Sequence, residues 1–190
     1  MAILSSSQSS TTIPPEVFSG NRAINVQLYD ESNKKLGSQW EASRRLTNVG
    51  LNQKFYSIIK TRTLPIDLKS RFFTFTGAGV IARFYVGFTP VTLPTPDPVY
   101  SLRPGQPAFR DFDIYTIPVA PASLGTKWAA DIFAEGNASN QSKGSVGASY
   151  GSGWIIEPNQ EILLEIESLE AAQNISARLE MYNGLLDLPL

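Results

Sequence analysis

The stretch EILLEIESLEAAQNISARLEMY, residues 161–182, decides the fold. It is rich in strong helix formers, and its apolar residues at 162, 163, 164, 166 and 169 partly follow a 3.6-residue period. One reading is therefore a single long helix. Two features favour strands instead. Pro158-Asn159-Gln160 sets a turn just before the stretch, and Ile175, Ala177, Leu179 and Met181 fall on one face by strict alternation. The chain around it carries strand signals as well. We read residues 161–169 and 175–183 as two strands forming a closing hairpin.

Working outward, the same period of two recurs. In residues 22–30, Ile24, Val26 and Leu28 share one face while Asn25, Gln27 and Tyr29 share the other. Residues 31–35 have turn chemistry, closed by Gly37. Residues 54–60 (KFYSIIK), 64–69 and 71–76 (RFFTFT) are rich in β-branched and aromatic side chains. Gly77-Ala78-Gly79 breaks that run. Residues 80–88 then alternate, with Val80, Ala82, Phe84, Val86 and Phe88 inward and Ile81, Arg83 and Tyr85 opposite. Residues 89–98 (TPVTLPTPDP) carry four prolines and cannot form a central strand, so they read as a rigid connection. Further strand candidates are residues 99–103, 112–117, 128–133 and 154–156. About eight to ten short strands, no convincing helix and no fixed-period repeat predict an all-β chain. The expected fold is a β-sandwich, in the form of a jelly roll with an extended N-terminal arm. Residues 1–20 form the arm and residues 21–190 the sandwich domain.

Composition narrows the chemistry. The 190 residues include no Cys and no His. That excludes disulfides, thiol nucleophiles, Ser-His-Asp triads and the usual zinc or haem ligand sets. Carboxylates, Tyr, Lys and Arg remain as possible catalytic groups. Charged residues make up 17% of the chain, below the roughly 25% typical of soluble domains. Such a surface must expose hydroxyls and amides or hide in an assembly. A net charge of −1 gives no electrostatic reason to bind nucleic acid or an anionic membrane. The N-terminus lacks the basic and apolar regions of a signal peptide, and no apolar run is long enough to span a bilayer. The absence of cysteine fits synthesis in a reducing compartment, and no cofactor is expected.

Two low-complexity tracts and the C-terminus stand apart from this pattern. Residues 1–20 are rich in Ser, Thr and Pro, yet Ile3, Leu4, Ile13, Val17 and Phe18 are spaced like anchors along a strand. They read either as a disordered tail or as an arm that orders on a neighbouring subunit. Residues 136–153 are dense in Gly, Ser and Asn, as functional or disordered loops are. The tail after the last strand carries Leu185, Leu186 and Leu188, which must pack on its own sandwich or into a neighbour. Asp111 and Asp113 present two carboxylates on one strand face with Asp97 near in sequence; we read them as a solvated strand edge before a metal or catalytic site. Trp40, Tyr100, Tyr115, Trp128, Tyr150 and Trp154 include possible sugar-stacking rings, although Trp128 and Trp154 open apolar strands and suit a core or interface. The Gly77-Ala78-Gly79 turn lacks the following lysine and helix of a phosphate cradle.

Gly153-Trp154-Ile155-Ile156-Glu157-Pro158-Asn159-Gln160-Glu161-Ile162-Leu163-Leu164-Glu165-Ile166-Glu167, followed by residues 175–182 (ISARLEMY), resembles the closing strands of small virion proteins encoded beside tailed-phage capsid genes. Residues 48–56 (NVGLNQKFY) with 66–71 (IDLKSR) resemble the same group. The resemblance implies a head decoration, or cement, protein: a non-enzymatic structural component on the capsid surface of the virion. Its implied partner is the major capsid protein, and its implied assembly a homotrimer. The family has no fixed site motif, so the expected interface rests on the apolar anchors named above. The alternative is a receptor- or carbohydrate-binding β-sandwich of a phage tail fibre, with residues 136–153 and exposed aromatics as its site. A His-free carboxylate glycan hydrolase built on Asp111 and Asp113 is a third reading.

Overall fold

The computed structural model describes residues 34–135, 145–147 and 153–184. Two antiparallel sheets form a sandwich. The first contains β1 (Gln39–Val49), β3 (Ile66–Phe75), β5 (Tyr100–Ser101), β9 (Ser145–Gly147), β10 (Trp154–Ile156) and β12 (Gln173–Asn183). The second contains β2 (Lys54–Thr61), β4 (Gly79–Val86), β6 (Phe112–Ile117), β7 (Thr126–Lys127), β8 (Ile132–Glu135) and β11 (Glu161–Ser168). Their orders are β10-β3-β12-β1-β5, with β9 beside β3, and β6-β2-β11-β4-β7, with β8 beside β4. Pairing is nested from the ends of the chain inward: β1 with β12, β2 with β11, β3 with β10, and β4 with β8. That nesting is consistent with a jelly roll, a long hairpin rolled into two sheets.

Residues 161–182 are strands, but they do not form a hairpin. β11 pairs with β2 and β4 in one sheet, while β12 pairs with β1 and β3 in the other. The chain between them crosses the sandwich as an arch. Ala172 takes a positive φ of 59°, and Gln173 Nε2 donates to the Gly79 carbonyl at 2.8 Å. An arch suits these residues better than a hairpin, because it sets the two apolar faces against each other. Ile162, Leu164 and Ile166 point inward from one sheet, and Ile175, Ala177, Leu179 and Met181 from the other. The back of β11 is covered too: Leu163 belongs to a second apolar cluster outside the sheet, and Glu165 is fully buried. Burial of both faces explains why ILLEI loses its alternation and mimics a helix.

Other boundaries moved for local reasons. The two strands expected over residues 64–76 are one, with a register shift opposite Glu180 and Met181 that accommodates the extra residue. β4 stops at Val86, after which Gly87 turns at φ 66° and Phe88 packs on the outer face of the second sheet. Only Tyr100 and Ser101 of residues 99–103 pair. Of the strand expected over 128–133 only Ile132 and Phe133 pair, in β8, while Trp128 follows the short β7 and packs against the core. β1 is the one long strand that the sequence did not announce.

The proline-rich connection acts as a strap. Residues 89–98 leave β4, pass over the outer face of the second sheet, and reach the free side of β6, where Asp97 N donates to the Ile114 carbonyl at 2.7 Å. A second connection, residues 118–125, runs beside it and is joined to it by Thr89 N donating to the Ser123 carbonyl at 3.0 Å. Val91, Leu93 and Leu124 from these straps cover Ile58, Tyr85, Tyr115, Ile117 and Leu163. Around Ile58, Tyr115 and Leu163 the second sheet is thereby buried on both faces.

Candidate interaction surface

The acidic residues singled out from the sequence serve the fold. Asp111 and Asp113 are buried, not solvated: their exposures are 3% and 4%. The correction follows from their partners. Asp111 Oδ2 accepts from Thr63 Oγ1 and from the Leu64 N–H, both at 2.6 Å, and the Asp111 N–H donates to Asn183 Oδ1 at 3.1 Å. The Thr63 hydroxyl, then the Leu64 N–H, hold the Asp111 carboxyl below the ordinary aspartate range against the opposing effect of burial. Asp113 accepts from Arg62 Nη2 at 2.6 Å and Arg110 Nη2 at 3.3 Å. Asp97 accepts from Thr116 Oγ1 at 2.8 Å and anchors the strap. Among the described residues, no three metal-ligating side chains converge. The Gly77-Ala78-Gly79 turn does offer an N–H to an anion, but that anion is the chain's own: Ala78 N donates to Glu170 Oε2 at 2.5 Å.

A charge network crosses the outer face of the second sheet. Arg83 Nη1 lies 2.6 Å from Glu165 Oε1 and 2.5 Å from Glu167 Oε2, and Arg83 Nε lies 3.3 Å from Asp131. Lys54 approaches both glutamates, and Lys127 pairs with Asp131. Burial works against the Arg83 charge, but its bonds to Glu167 and Glu165 outweigh it and raise the guanidinium pKa. Burial, with the charge of Glu165 beside it, pushes the Tyr56 hydroxyl up to about 12. Three cations and three anions thus neutralise one another around a buried carboxylate.

The structure brings Trp128 and Trp154 together, which no sequence signal indicated. Their centroids are 5.2 Å apart at an interplanar angle of 72°, and Phe84 meets Trp154 edge-on at 4.8 Å. Arg71 points inward from β3, in register with Leu179, and its guanidinium sits 3.7 Å from the Trp154 ring centroid. These rings are crossed, and one face of Trp154 carries a cation, so they do not make a flat sugar-stacking platform. Trp40 and Tyr115 are buried, and Tyr100 stands alone at 60% exposure; Tyr150 lies outside the described residues.

The feature most open to a partner is the outer side of β1. Along a strand, the N–H and C=O of alternate residues point to opposite sides. The Gln39 carbonyl accepts from Leu102 N and the Gly37 carbonyl from Ala108 N, whereas the Ser38 carbonyl accepts from Asn183 N of β12. Odd-numbered residues therefore face away from β12. β5 pairs only with Trp40 and Glu41 on that side. Among the described residues, nothing pairs beyond them, so the main-chain groups of Ser43 and Arg45 project from an open edge, with Thr47 next along the strand where the β12 register shifts. Beside it the sandwich gapes. A crevice of about 40 Å³ opens between Ala42 and Arg44 on one side and Asp97 and Pro98 on the other, floored by Leu164 and Leu179. Arg44 spans it, donating from Nη1 to the Tyr56 carbonyl at 3.0 Å and Ser57 Oγ at 3.2 Å. Burial lowers the Arg44 pKa, and Asp97 opposes that shift.

Ile3, Leu4, Ile13, Val17, Phe18, Leu185, Leu186 and Leu188, expected to form the interface, lie outside the described residues, as do residues 22–30. No family model matches the sequence, and no curated protein matches it. Among solved structures, the chain is similar to the unassembled KI polyomavirus VP1 pentamer at 8% identity, covering 77% of this chain and 75% of that one, with a TM-score of 0.11. A TM-score that low carries no weight for fold or function.

Proposed function

We propose that this chain is a non-enzymatic virion structural protein: a capsid decoration or cement protein that assembles as a homotrimer and binds the major capsid protein on the outer shell. One observation carries the reading. The buried carboxylates Asp111 and Glu165 are committed to tying segments together, Asp111 to the 62–64 turn and Glu165 to Arg83, while among the described residues β1 offers an unpaired backbone edge. A rigid, strapped sandwich with such an edge suits adhesion. The amino-terminal arm supplies reach, and its apolar anchors supply burial at about 25 cal/mol per Å² of apolar area. Repetition over many copies adds avidity.

The test is occupancy. Capsids lacking the protein are incubated with the full chain or with a chain lacking residues 2–20, sedimented, and scored for bound copies. Full-chain binding at a fixed copy number, greatly reduced by the deletion, is the expected result. Equal occupancy removes the arm from the mechanism, and no binding by the full chain overturns the function.

A further inference from the structure

We infer that the free stretch of β1 is a seat for a second copy of this chain, whose amino-terminal segment adds as a further strand beside Ser43, Arg45 and Thr47 and sets an apolar side chain in the adjoining crevice. The inference builds on the reading above by naming where an arm lands and on what. Three observations support it. First, edges elsewhere in the sandwich are short or bonded. The strap meets β6 at Ile114, and β7, β8 and β10 are two to four residues long. Among the described residues the β1 edge is instead extended and unpaired beyond Glu41, and an unpaired ladder is a template for strand addition. Second, the crevice lies directly inside that edge. At about 40 Å³ it has room for the tip of a small aliphatic side chain, and its floor is apolar. An added strand alternates its side chains, so one directed inward meets Leu164 and Leu179.

Third, the occupant is argued by where the preceding chain runs. Residues 34–39 approach β1 along the same side, but Gly37 and Gln39 are already bonded to Ala108 and Leu102, and β5 fills the edge at Trp40 and Glu41. A tight hairpin from the chain's own preceding residues is blocked there. Thirty-three residues precede Lys34. At about 3.3 Å per residue they reach far beyond one domain. Within them, residues 5–13 (SSSQSSTTI) contain no proline and end in an isoleucine.

The absence of cysteine makes the contact directly measurable. Thr47→Cys is mixed with Ile3→Cys, Ile13→Cys or Val17→Cys, each in the full-length chain, and oxidised. The expected product is a disulfide-linked dimer of the two different variants, above the level either gives alone. Arg45→Pro removes only an outward N–H and spares the β12 ladder. It should reduce the cross-link about tenfold, which corresponds to about 1.4 kcal/mol, while Arg45→Lys retains it. If Arg45→Pro fails to fold, Ala42→Val, which fills the crevice from within, should reduce the cross-link in its place. No mixed dimer, closure within single chains of a double variant, or a cross-link indifferent to these substitutions overturns the inference. Particle binding is not read in this assay, so a chain that decorates capsids yet gives no cross-link keeps its function and loses this seat.

Discussion

Asp111 stands where three segments meet: the end of β2, the start of β6 and the end of β12. Its carboxylate takes the Thr63 hydroxyl and the Leu64 N–H, its carbonyl takes the Arg62 N–H, and its own N–H is held by Asn183. Removing the side chain leaves buried donors unpaired. Asp111→Ala is therefore expected to lower unfolding free energy by about 2 kcal/mol, measured by urea denaturation. The pH dependence has a definite sign. The folded pKa of Asp111 lies below its unfolded value, so its stabilisation is complete above about pH 4 and is lost as pH falls through the folded pKa. The urea midpoints of the wild type and Asp111→Asn should accordingly converge on acidification below about pH 4; a constant gap down to acid unfolding contradicts the assignment.

Among the elements, β11 carries the sharpest energetic asymmetry. Glu165 is fully buried, and Arg83 on β4 is its near partner. Arg83→Met leaves that carboxylate with the Tyr56 hydroxyl and with Lys54 at 3.4 Å, and should cost about 3 kcal/mol. Glu167→Gln, at the half-buried margin of the same network, leaves Arg83 paired with Glu165 and should cost less, about 1 kcal/mol. Thermal melts of the two variants rank them, and equal losses would show that the network is not centred on Glu165. The elements also show what a sequence discloses. β12 was legible because, from Asn174 to Arg178, one face is buried and the other meets water. β11 was ambiguous because Leu163 and Glu165 are buried behind it. β1 stayed hidden because its inward positions are Trp40, Ala42, Arg44 and Leu46, where a small residue and a cation interrupt the apolar alternation. Asp111 and Asp113 were located but misjudged, since their partners come from distant turns. The straps were legible as proline-rich connections; the face they cover was not.

For the whole molecule, the near-neutral charge sets an expectation about adhesion. A net charge of −1 and an apolar arm predict association that does not weaken with salt. Raising sodium chloride about tenfold in the capsid sedimentation assay should leave occupancy unchanged or higher, whereas a steep loss would assign the contact to charge pairs. Nested pairing has a separate consequence, for how the chain is made. Gln39 pairs with Tyr182, and Lys54 with Glu167, so the central strands of both sheets, β11 and β12, are the last of the described strands to be synthesised. Ribosomes extend a chain at about 5–20 residues per second, and for that interval β1 to β4 have emerged without their partners. Neither sheet can close around a partial product. The core forms only once β11 and β12 have emerged, which makes the appearance of these two strands, rather than of the earlier ones, the event that starts folding.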